Sequence, residues 1–418
     1  MARLKGFAKL TSIDYALKQF FKSLELEPLE SEAIPLKDGL DRIMSTNICA
    51  SVDVPNFDRS AVDGYAIRAE DAFGASSTNP IILEVVGKIK IGLESTLSLG
   101  RGEVVEITTG ARLPVEADAV VMMEHTRKID VKNLEINSST PPWRNVSRKG
   151  EDVTKNEIVI CMGTKLKPQH LGMLAALGYN EINVFRKPHV AVVSTGNELV
   201  ELGSKLEPGK IIDINRIILS NMIIEAGGMP IDLGIVIDDP LKIQDTLKKG
   251  LKEADLIITS GGTSVGEMDL IPEIVNSLGK PGIIFHGISM RPGMPTGLAN
   301  LNGKPVILLS GYPVAAIMGF ETFAKPLILR MLHSPEEPAA VIKAVLTRRV
   351  ASSSGFRQFV RVLVKRTNEK YIAEPVYSAG SGILSSMIKA NGLLVIPEDR
   401  EGFDEGEEIE VTLFGQVK

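Results

Sequence analysis

Between residues 190 and 332 the chain alternates strand-like and helix-like runs without interruption, and this pattern restricts the fold more than any other feature. Apolar runs at 190–194, 231–236, 256–259, 282–288 and 306–309 predict buried strands. Helical runs at 216–226, 240–253, 270–277 and 314–332 lie between and after them. Continuous apolar strands need both sheet faces covered, which argues for a doubly wound, mainly parallel sheet. Ligands of such sheets bind beyond the carboxyl ends of the strands. The loops expected there, 194–198, 260–269, 289–297 and 310–315, are all rich in Gly, Pro, Ser or acid.

The flanking regions read differently. Thr11-Ser12-Ile13-Asp14 opens a helix whose apolar face is Ile13, Ala16, Leu17, Phe20, Phe21 and Leu24. A second short helix is expected at 37–44. Short β runs at 81–86, 104–108 and 119–123, separated by Gly-, Pro- and charge-rich turns, predict a small β domain. Ser138-Ser139-Thr140-Pro141-Pro142 marks a boundary, and a connecting region with one helix near 168–177 follows. Past Pro335 the runs 341–350, 359–364, 371–376, 392–396 and 408–413 predict a small β-barrel. The expected layout is multidomain α/β plus β. An elongated connecting domain comes from two segments, 1–52 and 141–186. A small β domain spans 53–140, the α/β domain 187–333 and the C-terminal barrel 334–418.

Composition excludes some functions. The 418 residues are enough for roughly three domains. A 44% hydrophobic and 24% charged content fits an ordinary folded soluble protein. Net charge of −5 gives no reason to expect nucleic acid or an anionic membrane as partner. The first ten residues lack a signal peptide's apolar stretch. The most apolar region, 306–320, is short and interrupted by Ser310, Gly311 and Pro313, so no membrane span is expected. Cys49 and Cys161 are the only cysteines and lack metal-ligand spacing. A reducing cytoplasm suits them, and both are expected to be buried.

The chemistry concentrates in Ile257-Ile258-Thr259-Ser260-Gly261-Gly262-Thr263-Ser264-Val265-Gly266-Glu267-Met268-Asp269. Here an apolar run ends in paired glycines, with two carboxylates where a helix begins. Glycines admit close backbone approach, and a helix N-terminus attracts anions. Carboxylates would repel a bare phosphate there, so Mg²⁺ bridging them to a phosphorylated ligand makes better electrostatic sense. Asp269 can equally cap the helix. Ser194-Thr195-Gly196-Asn197-Glu198-Leu199 follows the first strand and offers small residues with one acid. Asp213-Ile214-Asn215-Arg216 and Asp238-Asp239 add polar groups at helix starts, where capping explains each of them too. Asp58-Arg59-Ser60-Ala61-Val62-Asp63-Gly64 reads as a hairpin loop or a second polar cluster. Thr108-Thr109-Gly110-Ala111-Arg112 is either an anion-binding turn or a plain strand exit. Arg291 and His286 are the basic groups near the third loop. No Walker loop, dinucleotide fingerprint, zinc-ligand cluster or nucleophile elbow occurs.

Four of these segments together carry a resemblance. Ser60-Ala61-Val62-Asp63-Gly64-Tyr65-Ala66, Thr109-Gly110-Ala111, Ser194-Thr195-Gly196-Asn197-Glu198-Leu199 and Ser260-Gly261-Gly262-Thr263-Ser264-Val265-Gly266 fall in the order and spacing of the MoeA family. These are the molybdopterin molybdenumtransferases, related to the gephyrin E domain. The resemblance covers nearly the whole chain. It implies a cytoplasmic homodimer that inserts molybdenum from molybdate into adenylyl-molybdopterin, releasing AMP in a Mg²⁺-dependent step. It also implies contact with the molybdopterin adenylyltransferase. Asp63, Thr109, Asp239 and Asp269 are then the expected catalytic positions, Asp63 and Thr109 serving the partner subunit's site. Glu198 and Asp269 are the expected Mg²⁺ ligands. Substrate-binding positions are Ser194, Thr195, Gly196, Glu198, Gly261, Gly262, Ser264, Gly266, Arg291, Pro292, Gly311, Pro313, Arg361 and Ser381. Departures stand at Gly287 and Met294, where the family often has lysines. Ser310-Gly311-Tyr312-Pro313 replaces the common Pro-Gly-Asn-Pro. These departures leave tungstate as an alternative oxyanion, and a non-catalytic molybdopterin carrier or scaffold as an alternative function.

Overall fold

The computed structural model describes residues 10–26, 29–93, 96–262, 270–335, 338–367, 370–376 and 380–418. The chain forms two compact units. One comprises Met1–Glu32, Asp41–Ile43 and Val184–Lys418, and the other Ala33–Leu40 and Met44–Asn183. Helix α1, Ile13–Ser23, belongs to the first and is treated with it below.

The second unit is built on a six-stranded sheet. Its strands are β1 (Gly64–Ile67), β2 (Ile81–Ile89), β3 (Glu103–Ile107), β4 (Ala119–Met122), β5 (Thr126–Lys128) and β6 (Asn133–Ile136). They lie in the order β4-β1-β3-β2-β6-β5. Alternation along β1 buries Tyr65 and Ile67 in one core and Ala66 in another, so both faces are covered. Gly64 is obligatory, because a Cβ there would lie 2.0 Å from the Val121 carbonyl oxygen. Helix α2, Pro168–Ala176, begins with proline at its first position, where the missing N–H costs nothing. The helix expected at 37–44 is a single 3₁₀ turn at Leu36–Asp38. Asp41 has φ of 60°, which a helix cannot continue through. Both cysteines are exposed, contrary to expectation. Strands Ile48–Cys49 and Ile158–Ile160 pair with Ile48 and Ile160 inward, so the next residue of each, Cys49 and Cys161, points to solvent.

In the first unit the α/β sheet contains β7 (His189–Thr195), β8 (Met229–Val236), β9 (Leu256–Ser260), β10 (Pro281–His286), β11 (Gly297–Leu301) and β12 (Lys304–Leu309). Helices α3 (Asn215–Glu225), α4 (Pro240–Glu253), α5 (Leu270–Leu278), α6 (Pro313–Gly319) and α7 (Lys325–Met331) connect or follow them, with a π turn between α6 and α7. Strand order is β8-β7-β9-β12-β11-β10, and the first four are parallel. β11 is antiparallel to both neighbours, so the sheet is mixed at that edge. This strand was not expected, since Gly297–Leu301 lacks β-branched residues. Its signal is the two-residue turn Asn302-Gly303, with φ of 55° and 92°, closing a hairpin between Leu301 and Lys304.

Opposite faces of this sheet feed two cores. Val190, Val192, Ile258 and Ile307 meet α3 and α7, while Ala191, Val193, Ile257 and Leu308 meet α4 and α5. α1 completes the first core with Ile13, Ala16 and Phe20, the predicted helical face. Complete burial of Phe20 is worth about 2–3 kcal/mol. Ahead of α1, Thr11 adds one bridge to the α/β backbone, donating to Gly287 O and accepting from Ser289 N.

The C-terminal region is the expected barrel. β13 (Val341–Leu346), β14 (Arg357–Arg366), β15 (Tyr371–Pro375), β16 (Gly392–Ile396) and β17 (Glu408–Leu413) close in the order β14-β15-β13-β17-β16 and back to β14. α8, Ser385–Lys389, precedes β16. Ala344, Val362, Val364, Leu394 and Val411 fill the interior.

Candidate active site

The chain leaves β7 toward β8 on one side and later returns to β9 on the other. Loops therefore diverge beyond the ends of β7 and β9, and a crevice opens at this switch point. Three strand ends are level there, with Ser194 opposite Ser260 and Ser260 opposite Leu309. The glycines first allow these loops to touch one another. Gly261 has φ of 96°, and a Cβ on it would lie 2.4 Å from the Thr195 carbonyl oxygen. A Cβ on Gly262 would lie 3.0 Å from Thr195 Oγ1, while one on Gly311 would sit at 3.5 Å from Gly261 Cα. The Gly261 amide donates to Leu309 O at 3.1 Å, tying the second loop to the end of β12.

Asn215, at the start of α3, crosses the crevice floor. Its Nδ2 donates to Ser260 Oγ and to Gly311 O, both at 2.8 Å. Asp213 takes over the capping, accepting from the amides of Asn215 and Arg216. Arg216 then locks the helix start through Asp213, Asp232 and Glu201. Burial pushes the Arg216 guanidinium down, but its bonds to these three carboxylates outweigh this and hold it above its ordinary range. Three buried polar atoms at these ends have no described partner, Ser194 Oγ, Thr195 Oγ1 and Asn215 Oδ1, and Thr259 Oγ1, one residue further back in β9, has none either. Orphaned buried groups each cost about 1–3 kcal/mol, so their concentration at one sheet end makes that end the candidate ligand site. Sequence reasoning left Asn215 between a polar group of the site and a helix cap. Its distinguishing signal is Asp213 two residues earlier, which takes over the cap.

The acids separate by role. Glu198 is exposed, and its carboxylate folds back over Gly196. Asp238 and Asn197 exchange bonds, each side chain accepting from the other's amide, which joins the loops after β7 and β8. Asp239 Oδ1 accepts from Leu241 N at 2.9 Å and Lys242 N at 3.1 Å, so it caps α4. Ser264, Gly266 and Asp269 lie outside the described residues. Among the described residues no group of three His, Cys, Asp or Glu is placed to hold a metal ion. Glu198 carries hard anionic oxygens of the kind Mg²⁺ takes, and fits it when a ligand's phosphates complete the shell.

The basic and C-terminal positions are mostly engaged. Arg291 stacks on Phe356 at 4.0 Å and donates to Ser353 Oγ at 3.1 Å, and Pro292 is half-buried beside it. Arg361 donates to Ser386 Oγ and to Phe359 O. Burial pushes its guanidinium below its ordinary range. Ser381 O accepts from Val314 N at 3.0 Å, bringing the segment before α8 against the start of α6, which Pro313 opens. In the other unit, Asp63 and Thr109 meet directly. Asp63 Oδ1 accepts from Thr109 N at 2.7 Å and from Thr109 Oγ1 at 3.1 Å.

Comparison with known proteins follows this geometry along the chain. Residues 11–178 match the model for the MoeA N-terminal region (domain I and II), 191–330 the "Probable molybdopterin binding domain", and 343–414 the MoeA C-terminal region (domain IV). A molybdopterin molybdenumtransferase of Bacillus subtilis is 37% identical over 387 residues, 92% of this chain and 90% of that one. The chain belongs to the MoeA family. Crystal structures of molybdopterin biosynthesis MoeA proteins from Pyrococcus horikoshii match with TM-scores of 0.83 and 0.84, at 39% and 34% identity. They cover 98% and 97% of this chain and 100% of their own.

Two departures from the common MoeA pattern have structural settings. Gly287 has φ of 98°, so a lysine in that backbone would be strained. Tyr312 is 63% exposed where the family commonly has asparagine. Among the described residues no helix is long and apolar enough to cross a membrane.

Proposed function

We propose that this member of the MoeA family is a cytoplasmic, homodimeric transferase of molybdenum cofactor biosynthesis. It takes molybdenum from molybdate into adenylyl-molybdopterin, and AMP leaves. The observation that carries the reading is the set of orphaned hydroxyls and the Asn215 carbonyl at level strand ends, within a chain matched by MoeA models over most of its length. Ser194 and Thr195 would donate to phosphate oxygens, and Asn215 Oδ1 would accept from an N–H or O–H of the substrate. Holding dithiolene and oxyanion together makes proximity the main source of rate, without a nucleophilic side chain. Glu198 and Asp269 would hold Mg²⁺, whose charge when bound would offset the anionic phosphates of the adenylate.

Asp63 and Thr109 are proposed to act in the partner subunit's site, and the molybdopterin adenylyltransferase is the proposed supplier of substrate. Purified protein given adenylylated molybdopterin, Mg²⁺ and either molybdate or tungstate should release AMP and activate an apo-enzyme, and tungstate alone succeeding would reassign the oxyanion. Absence of AMP release with both would overturn the reading. Mixing inactive Asp63→Asn and Asp269→Asn chains should restore part of the activity, and no recovery after verified subunit exchange would exclude sharing across the dimer.

A further inference from the structure

Tyr312 lies in the fourth loop, between the end of β12 and the start of α6. Its exposure alone says little, since single exposed aromatics are common. Its mounting says more. The Tyr312 amide donates to Ser310 Oγ at 3.3 Å, and the preceding Gly311 carbonyl is held by Asn215 at 2.8 Å. Its own carbonyl accepts from Ala316 N at 2.9 Å, and Val314 N is fixed to Ser381 O at 3.0 Å. The backbone is thus pinned on both sides. The ring rests on Gly382, where a Cβ would come within 3.2 Å of Tyr312 Cδ1 and 3.6 Å of Cε1. At 63% exposure, much of the ring is open to solvent, and its hydroxyl makes no hydrogen bond to a described group. A flat apolar surface held still by its neighbours stacks a planar heterocycle with little ordering cost.

We infer that Tyr312 is a stacking platform for one heterocycle of the substrate and a specificity-determining residue of this site, an assignment that rests on the molybdenum-insertion reading. Adenylyl-molybdopterin carries two such rings, adenine and pterin, and either can use an aromatic face. Stacking of a base on an aromatic side chain is worth about tenfold in affinity.

Calorimetric titration of the full chain with AMP, with neopterin and with ribose 5-phosphate separates the two rings from a ringless phosphate. Tyr312→Phe should bind all three within about twofold of the parent. Tyr312→Ala should bind one ring compound about tenfold more weakly and ribose 5-phosphate unchanged, with an unaltered melting point. Gly382→Ala should weaken the same ring compound, because the added Cβ displaces the tyrosine ring. Equal binding of AMP and neopterin by Tyr312→Ala and the parent would overturn the stacking role and leave the insertion reading standing. A parent chain that binds neither ring compound nor adenylylated molybdopterin itself would overturn both.

Discussion

The two ends of β7 solve opposite problems. At the amino end Asp255 closes every account: its carboxylate accepts from Arg186 Nη1 and Nη2 at 2.7 and 2.9 Å and from His189 N at 2.8 Å. At the carboxyl end Ser194 and Thr195 are more deeply buried, yet neither hydroxyl has a described partner. The same strand therefore carries a clamp at one end and unmet hydrogen-bonding capacity at the other. The difference teaches where folding stability ends and ligand binding begins, since a group left unsatisfied in the chain alone is stabilised only by what binds.

The comparison breaks most sharply at the acid proposed for the metal. Asp269→Ser keeps a cap-competent oxygen and removes an anionic one, so it should melt within a few degrees of the parent yet lose nearly all Mg²⁺-dependent AMP release. Parental turnover in that variant would return Asp269 to capping. Next comes the pair Gly261→Ala and Gly311→Ala. The first places a Cβ 2.4 Å from a carbonyl oxygen at positive φ and should cost about 3 kcal/mol by thermal or denaturant melting. The second meets ordinary contact at 3.5 Å and should be tolerated, so equal losses would show that the loops do not stack as described.

At the amino end, Asp255→Asn should cost about 2 kcal/mol at pH 7 with turnover per folded molecule unchanged. Its pH dependence has a defined sign. Burial pushes the Asp255 carboxyl up, but bonds from Arg186 and the His189 amide hold it below its ordinary range. Its contribution is present above the unfolded carboxylate value near 4 and is lost as pH falls through the lower folded value. Acid melting curves should be steeper for the parent than for Asp255→Asn, and parallel curves would remove the clamp from the stability argument. The smallest effect, and the most discriminating, is Thr195→Val. Removing an unsatisfied buried hydroxyl without changing shape should leave the ligand-free protein as stable or up to about 1 kcal/mol more stable. Affinity for adenylylated molybdopterin should nevertheless fall about tenfold. Lower stability with unchanged affinity would mean that Thr195 is an ordinary core residue.

Much of this was readable from residue order because parallel strands and amphipathic helices have distinct periods, and the barrel strands follow a third pattern. The loop ends were readable for a related reason, since glycine clusters at strand termini have few structural uses. What escaped was decided by pairing. Gly297–Leu301 looks like loop until its hairpin partner is known, although Asn302-Gly303 was there to find it. Cys49 and Cys161 are apolar in composition but sit at outward positions of a two-stranded ladder. The expected helix at 37–44 gave way to Asp41's backbone. Among the acids, Asp239 was readable either as a site residue or as a cap, and the positions of neighbouring amides show that it is engaged in a helix cap.

The docking of α1 bears on how the chain is assembled during synthesis. Ser23 O accepts from Asn300 Nδ2, a partner 277 positions later, and Phe20 joins a core that includes Leu309 and Leu327. The helix is made early, yet its apolar face has no covering until β11, β12 and α7 have been synthesised. At about 5–20 residues per second this interval lasts tens of seconds, during which the entire second unit is also produced. Contacts of such long sequence separation form late, because loop closure must precede them. The α/β core should therefore form first from its local strand–helix–strand units, with α1 closing it last, and the waiting helix is open to aggregation or chaperone capture until then.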